Sequence, residues 1–379
     1  MANVIKIKKG LDINLKGKAS DVLLNGGKSD SYAIVPDYYN GILPKVVAKV
    51  GEKVKAGSVL MIDKNRPEIK FVSPVSGEVT AVNRGEKRKV LSVVVKPEAQ
   101  IEYEDFGKKN VASLKREEVK EAILHAGMWP FIKQRPYDIV ASPADEPRDI
   151  FVSAFYSAPL APNFDFVVKG QEVDFQTGLD ALAKLTDGKV YVGIRKGSSV
   201  SVKGVETVEV EGPHPAANVG VQINHIKPIN KGEVVWTVNP ADVIVIGRLF
   251  NKGIADFSRL VVITGSETTE RGYVKAIAGC TIASLVDGKI MRGNDDIRII
   301  SGNVLTGTKV EKNDYLGAYD NQITVIPEGD ETHDFFGWAT PGFGKFSVSH
   351  SFPAWLMGKN KEYVIDARIK GGKRAMIMS

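Results

Sequence analysis

Gly212-Pro213-His214-Pro215-Ala216-Ala217-Asn218-Val219-Gly220 decides how the middle of this chain folds. Two prolines with fixed φ and no N–H rule out helix interior and central strand at this point. Val205 to Val210, just before it, alternates as a strand does. Just after it, Val219, Ile223 and Ile226 fall at i, i+4 and i+7, the spacing of one helix face. The stretch therefore reads as a stiff strand-to-helix turn carrying an imidazole, His214. In an open α/β sheet such turns gather at the carboxyl ends of strands, where ligands and partners dock. A rigid turn with a solvated imidazole fits the same residues.

Working outward, strand and helix signals alternate. Asp149–Ala154, Lys189–Ile194 and Val205–Val210 read as strands, and Val173–Leu185 as a helix with Phe175, Leu179 and Leu182 on one face. Ser113 to Ala126 reads as a helix capped by Ser113, with Val119, Ile123 and Ala126 on one stripe. Val243 to Gly247 is a buried apolar run that fits either strand or helix. The alternation predicts a parallel, Rossmann-like sheet across residues 101–256. Gly127 to Pro136 is dense in aromatic, basic and proline residues. It is either packed aromatics or a contact surface.

Toward the N-terminus the texture is different. Val50 to Leu60 and Phe71 to Val79 are Gly-punctuated hairpins, which predict a small flattened β barrel within residues 1–100, of the lipoyl/biotinyl type. Lys64 lies near the place of the modified lysine in such domains. The insertion Asn65-Arg66-Pro67 and the missing acidic lead-in argue against its modification. After Phe257 short strands predominate, at Arg259–Thr264, Val274–Ile277, Ile297–Ile300 and Gln322–Ile326, with one or two helical turns at Thr281–Val286. This fits a β-grasp-like domain over 257–330. From 331 to 379, Phe335, Phe336, Trp338, Phe343, Phe346, Phe352 and Trp355 crowd a Gly/Pro-rich segment expected to wrap the other domains. The fold class is thus multidomain α/β.

Composition bounds the chemistry. The chain has 379 residues, 43% hydrophobic and 25% charged, too long for one core and ordinary for a globular protein. The net charge is +6, with 51 Lys+Arg against 45 Asp+Glu and small basic clusters at Lys6–Lys9, Arg84–Lys89 and Lys370–Arg374. That is too dispersed for a nucleic-acid binder. Cys280 is the single cysteine, so no intrachain disulfide forms and no iron–sulfur cluster is held by this chain alone. No signal core and no long apolar span occur, which predicts a cytoplasmic chain without a transmembrane segment of its own.

Catalytic motifs fail one by one. Gly26-Gly27-Lys28-Ser29 has Val22 where a P-loop needs glycine, and Thr340–Lys345 has Ala339 there. No G-x-G-x-x-G fingerprint and no Gly-x-Ser-x-Gly elbow occur. The five histidines, His125, His214, His225, His333 and His350, form no HxH or HExxH pair, and only His214 with His225 would be a conceivable metal pair. No self-contained active site is expected.

Read in order, Arg135-Pro136, Phe175-Gln176-Thr177-Gly178-Leu179-Asp180, Gly212-Pro213-His214-Pro215-Ala216, Val235-Trp236, Ile300 to Gly307, Tyr315-Leu316-Gly317 and Phe336-Gly337-Trp338 form a specific set. With it the chain closely resembles the A-subunit family of the bacterial sodium-translocating NADH:quinone oxidoreductases. The resemblance implies a peripheral subunit on the cytoplasmic face of the membrane, resting on the membrane subunits of a respiratory complex. That complex oxidises NADH, reduces ubiquinone and exports sodium. It implies NADH, flavins and an iron–sulfur cluster on other subunits, and no cofactor or metal bound by this chain. The family is similar to the flavin-carrying subunit of complex I, whose Gly-rich flavin loop and cysteine ligands are missing here. Family members continue into a helical region beyond Arg368–Ser379, which predicts a C-terminally truncated chain. Trp129, Phe131, Arg135 and His214 are the candidates for contact with quinone or a partner, since aromatics stack on a quinone ring and Arg or His hydrogen-bonds its carbonyls. The alternative class is a flavin- or NADH-binding dehydrogenase subunit.

Overall fold

Alternating burial in short strands builds the first unit. Along Gly77–Arg84, Gly77 and Val79 point inward while Glu78 and Thr80 face solvent. This strand lies in a four-stranded antiparallel sheet, in the order Tyr32–Ile34, Val90–Pro97, Gly77–Arg84, Lys53–Val54. A three-stranded sheet of Pro44–Val46, Val59–Asp63 and Lys70–Val72 closes the flattened barrel. Leu60, Val75, Val79, Val93 and Val95 fill it. In this computed structural model residues 3–291, 296–329, 343, 356 and 361–367 are described. At the barrel's edge Asp63 is fully buried and accepts hydrogen bonds from the amides of Leu43 (3.0 Å) and Asn65 (3.2 Å) and from Arg66 Nε (2.8 Å). The Asn65-Arg66-Pro67 insertion is thus clamped: Arg66 also reaches the carbonyls of Gly41 and Val140.

The second unit is a seven-stranded sheet, in the order Asn3–Lys6, Glu206–Glu211, Val190–Arg195, Ile150–Ser153, Val235–Val238, Ile132–Arg135, Ile139–Val140. The first five strands run parallel; Ile132–Arg135 is antiparallel to both of its neighbours. The turn at 212–217 does join strand Glu206–Glu211 to helix Val219–Ile226. The open run at Val243–Gly247 is helix, inside Pro240–Lys252, with Pro240 through Phe250 all buried. Its boundary signals are Asn239 at the N-cap, Pro240 in the first turn and Gly253 at φ +73° past the end. The helix is buried on every side because it packs against helix Glu172–Lys184 and also sits under the neighbouring units. The two helices cross at glycines. A Cβ on Gly178 would stand 2.1 Å from the Val243 carbonyl oxygen, and one on Gly247 1.7 Å from that of Asp174.

One helix start needs correction. The helix expected from Ser113 is Arg116–His125, with Lys115 at its N-cap and Glu118 Oε2 accepting the Lys115 amide at 2.8 Å. Ser113 instead ends a 3₁₀ turn and donates its hydroxyl to the Asn110 carbonyl (2.9 Å).

The third unit is a six-stranded mixed sheet, in the order Thr308–Val310, Ile297–Ser301, Gln322–Pro327, Ser258–Thr264, Gly272–Ile277, Leu23–Leu24, with helix Ile282–Val286 packed on it. Cys280 is buried in this core, and burial pushes its thiol up to about 11. Tyr363 runs beside residues 14–16, its amide donating to the Asn14 carbonyl (2.8 Å). Of the aromatic tail, Phe343 is described; Phe335, Phe336, Trp338, Phe346, Phe352 and Trp355, like His333 and His350, lie outside the described residues. Among the described residues no helix is long and apolar enough to cross a membrane.

Candidate functional site

Strand order locates the site. From Ile150–Ser153 the chain moves to Val190–Arg195 and Glu206–Glu211 on one side, then returns to lay Val235–Val238 on the other. The space outside the carboxyl ends of Ile150–Ser153 and Val235–Val238 is therefore a topological switch point, where open α/β sheets bind ligands. A cleft of about 630 Å³ opens there. Its back wall is Ser153, Thr237 and the first residues of helices Val219–Ile226 and Pro240–Lys252. The strand Ile132–Arg135 and its turn add Lys133, Arg135 and Asp138; Phe131, Phe155, Tyr156 and Tyr319 supply aromatic surface, and Thr306 reaches in from the third unit.

The polar groups hold one another in place. Arg135 Nη2 lies 3.3 Å from Asp138 Oδ1, and Lys133 Nζ lies 3.7 Å from Asp138 Oδ2 and 3.9 Å from the centre of the Tyr319 ring. Arg135 Nε is buried without a hydrogen-bond partner. Tyr319 donates its hydroxyl to the Pro130 carbonyl (2.7 Å), and Tyr156 donates to Asn239 Oδ1 (3.3 Å) while accepting from Asn321. Neither N-cap asparagine, Asn218 or Asn239, spends its side chain on its own helix, so the positive ends of both helices face the cleft uncapped. Burial raises the Tyr156 and Tyr319 hydroxyls far above the ordinary phenol range, so both remain protonated donors. The arrangement offers flat apolar surface and two cations at one end of a crevice. It suits a planar ligand with acceptor oxygens.

Beneath the cleft lies an ion pair. Asp242, in the first turn of Pro240–Lys252, accepts from Arg259 Nη2 at 3.0 Å, with side-chain exposures of 0% and 2%. Arg259 Nη1 also donates to the Ala318 carbonyl (3.1 Å), and its guanidinium lies 5.8 Å from the Phe131 ring centre. Burial raises the Asp242 carboxyl to about 6, with Arg259 and Lys133 opposing.

The four residues singled out in the sequence are placed differently. Phe131 and Arg135 line the cleft together. Trp129 is fully buried, donates its indole N–H to the Ala141 carbonyl (2.9 Å) and packs edge-to-face with Trp236 at 5.4 Å. His214 stands on the 212–217 turn, whose continuation Ala217–Val221 lines the cleft. Its Nδ1 pairs with Ser157 Oγ (3.0 Å) and its amide donates to Asp12 (2.9 Å). Arg135 and His214 each precede a cis proline. His225 Nδ1 bonds the Val221 carbonyl (2.8 Å), within its own helix. Lys133, Tyr156, Asn239 and Tyr319 were not singled out. Of these, Lys133 lies in the aromatic and basic stretch 127–136, and Asn239-Pro240 is a helix-start signal at a strand end.

Three family models match the chain in order: the NqrA N-terminal barrel-sandwich hybrid domain over residues 5–98, the NqrA second alpha/beta domain over 114–255 and the NQRA C-terminal domain over 260–312. The A-subunit of the Na(+)-translocating NADH-quinone reductase of Neisseria meningitidis serogroup A is 36% identical over 380 residues, covering 99% of this chain and 84% of that protein. Its counterpart in Vibrio vulnificus is 37% identical over the same shares. A chain of an NAD+-reducing [NiFe]-hydrogenase in its H2-reduced state is similar over 56% of this chain and 47% of its own, at 12% identity and a TM-score of 0.39, too weak to bear on function. The barrel-sandwich unit, the α/β units behind it and the near-complete match make this chain a member of the NqrA family of the Na(+)-translocating NADH-quinone reductases.

Proposed function

We propose that this chain serves as the peripheral NqrA component of a sodium-translocating NADH:quinone reductase, seated on membrane subunits at the cytoplasmic face, and that the switch-point cleft receives the quinone headgroup. The unbroken match to NqrA proteins over 99% of the chain carries the first half. The second half rests on the cleft itself: Phe131 and Tyr319 offer faces to a quinone ring, and Arg135 and Lys133 offer N–H donors to its carbonyls. In this reading the chain positions quinone and docks, while NADH, flavins and the iron–sulfur cluster belong to other subunits. The reading also takes 1–100 as the lipoyl/biotinyl-like unit, 101–256 as Rossmann-like, 257–330 as β-grasp-like and 331–379 as a wrapping segment. Trp129, buried in the core and bonded to the Ala141 carbonyl, anchors the short turn that carries Phe131, and His214 fixes the turn that forms one wall.

The test compares sodium-stimulated NADH:quinone activity in membranes with and without the chain. Activity is expected to vanish without it, and full activity in its absence overturns the assignment. Arg135→Ala should raise the quinone KM about ten-fold or more, the worth of a hydrogen bond from a charged donor. An unchanged KM removes the cleft from the proposal. A flavin- or NADH-binding dehydrogenase is the competing reading, since a switch-point crevice also suits a nucleotide. A flavin band in the visible spectrum of the purified chain would decide for it.

A further inference from the structure

The barrel, residues 32–97, carries twelve Lys and Arg against six Asp and Glu, while the rest of the chain carries thirty-nine of each. The whole positive excess therefore sits at the barrel end of the protein. Its sharpest concentration is the turn between Gly77–Arg84 and Val90–Pro97. The ladder ends with Arg84 opposite Val90. Beyond it the Gly85 amide donates to the Lys89 carbonyl (2.9 Å) and the Lys89 amide to that of Glu86 (3.1 Å), closing the tip. Lys87 and Arg88 have φ of 52° and 60°, a left-handed pair that fixes the shape of the tip. Lys89 is spent on Asp37 at 2.6 Å. Arg84, Lys87 and Arg88 are exposed and have no ion-pair partner among the described residues. Leu91 is 42% exposed, and its Cδ2 lies 3.2 Å from where a Cβ on Gly85 would stand, so an aliphatic side chain rests on the cationic turn.

We propose that this tip, residues 84–91, is a docking finger for an anionic lipid surface. Arg84, Lys87 and Arg88 would meet headgroup phosphates, and Leu91 the edge of the acyl region. Cations flanking an exposed aliphatic residue are the pairing that interfacial segments use, and long basic side chains reach outward from such a site while their stems cover apolar surface. An acidic protein surface would use the cations but give Leu91 no apolar phase. The hairpin is rooted in the barrel core through Val79, Val93 and Val95, so the finger is stiff. The proposal needs a membrane nearby, which NqrA membership supplies, and is independent of the cleft.

The test is co-sedimentation of the full chain with vesicles of phosphatidylcholine alone and of equal parts phosphatidylcholine and phosphatidylglycerol. Binding is expected only to the anionic vesicles and should fall with salt. Each cation is expected to contribute about five-fold to the partition coefficient, so the triple variant Arg84→Gln, Lys87→Asn, Arg88→Gly should bind about 10²-fold more weakly. Asn and Gly favour the left-handed backbone, which keeps the tip folded. Leu91→Gln should weaken binding by several-fold. A control triple, Lys169→Gln, Lys203→Gln, Lys231→Gln, removes the same charge elsewhere and should bind as the wild type does. Equal losses from both triples overturn the proposal. So does a wild-type chain that ignores anionic vesicles. Loss of binding to the detergent-solubilised membrane subunits in the hairpin variant, without vesicle binding by the wild type, assigns the finger to a protein and overturns the lipid reading.

Discussion

Replacing Asp242 by Asn tests which force governs the buried pair under the cleft. Asp242 faces Arg259 at 3.0 Å, yet both side chains are almost wholly out of water, and Asp242 Oδ2 and Arg259 Nε have no hydrogen-bond partner. The other charged groups acting on the carboxyl include Lys133, while Tyr39, Tyr156 and Tyr319 feel its charge. Burial wins over Arg259, and the carboxyl rises from an ordinary value near 3.8 to about 6. The folded protein therefore holds this proton more tightly than the unfolded chain does. Its contribution to stability is full below pH 4 and is lost as pH rises through about 6. At about 1.4 kcal/mol per pH unit, that difference is about 3 kcal/mol. Asn is neutral and of the same shape, so Asp242→Asn should match the wild type near pH 4 and exceed it by up to about 3 kcal/mol at pH 7.5. Asp242→Leu leaves Arg259 without its acceptor and should cost about 3–5 kcal/mol at either pH. Urea midpoints followed by tryptophan fluorescence are a direct assay, since Trp129 and Trp236 are packed together in the largest core. If the advantage of the wild type over Asp242→Asn instead grows with pH between 4 and 7, the attraction of Arg259 outweighs burial and the reasoning is wrong.

Gly247→Ala places a methyl 1.7 Å from the Asp174 carbonyl oxygen and should cost at least about 3 kcal/mol, read as a lowered melting temperature. Asp149 is held below the usual carboxylate range: burial pushes it up, but Lys227, the Lys189 amide and Arg148 outweigh burial, so the stability it contributes is lost as pH falls below about 4. Asp149→Asn should therefore destabilise by about 3 kcal/mol at neutral pH, and the gap to the wild type should narrow steadily as pH falls below about 4, which urea midpoints would detect. Burial lowers the His214 imidazole, against the opposing charge of Asp12, so its contribution is present above about pH 6.5 and lost in acid. His214→Gln should flatten the melting-temperature profile between pH 5 and 7, and an unchanged slope would remove His214 from the titration. Phe131→Ala should raise quinone KM more than it lowers kcat, whereas Phe131→Tyr should leave both near wild type in steady-state assays.

Local chemistry was legible in the sequence; assembly across the chain was not. The 206–226 strand-turn-helix and the barrel hairpins could be read because prolines, glycines and apolar spacing act within a few residues. Val243–Gly247 stayed ambiguous because a helix buried on every side loses its periodicity, although Asn239-Pro240 and Gly253 bracketed it. Ser113 misled because Lys115, not a usual cap residue, begins the helix with Glu118 reaching back. The cleft draws Arg135, Tyr156, Val219, Asn239, Thr306 and Tyr319 from separate segments. No spacing rule links residues so far apart, so Phe131 and Arg135 could be singled out while their partners could not.

The outermost parallel strand, Asn3–Lys6, pairs Asn3 with Val208 and Lys6 with Glu211. These residues leave the ribosome well before their partner strand and are thus among the last to find their place. They must wait until two hundred further residues have emerged, while the barrel between them can already close through neighbouring hairpins. Synthesis and assembly run in opposite orders at this edge. The waiting segment, Asn3–Lys6, is an unpaired strand, the kind of exposed edge that other chains can capture. Lys6, Lys8 and Lys9 lie in and just beyond it. Such charges keep a waiting strand from pairing with a second copy of itself, so these lysines guard it until its partner strand has been made.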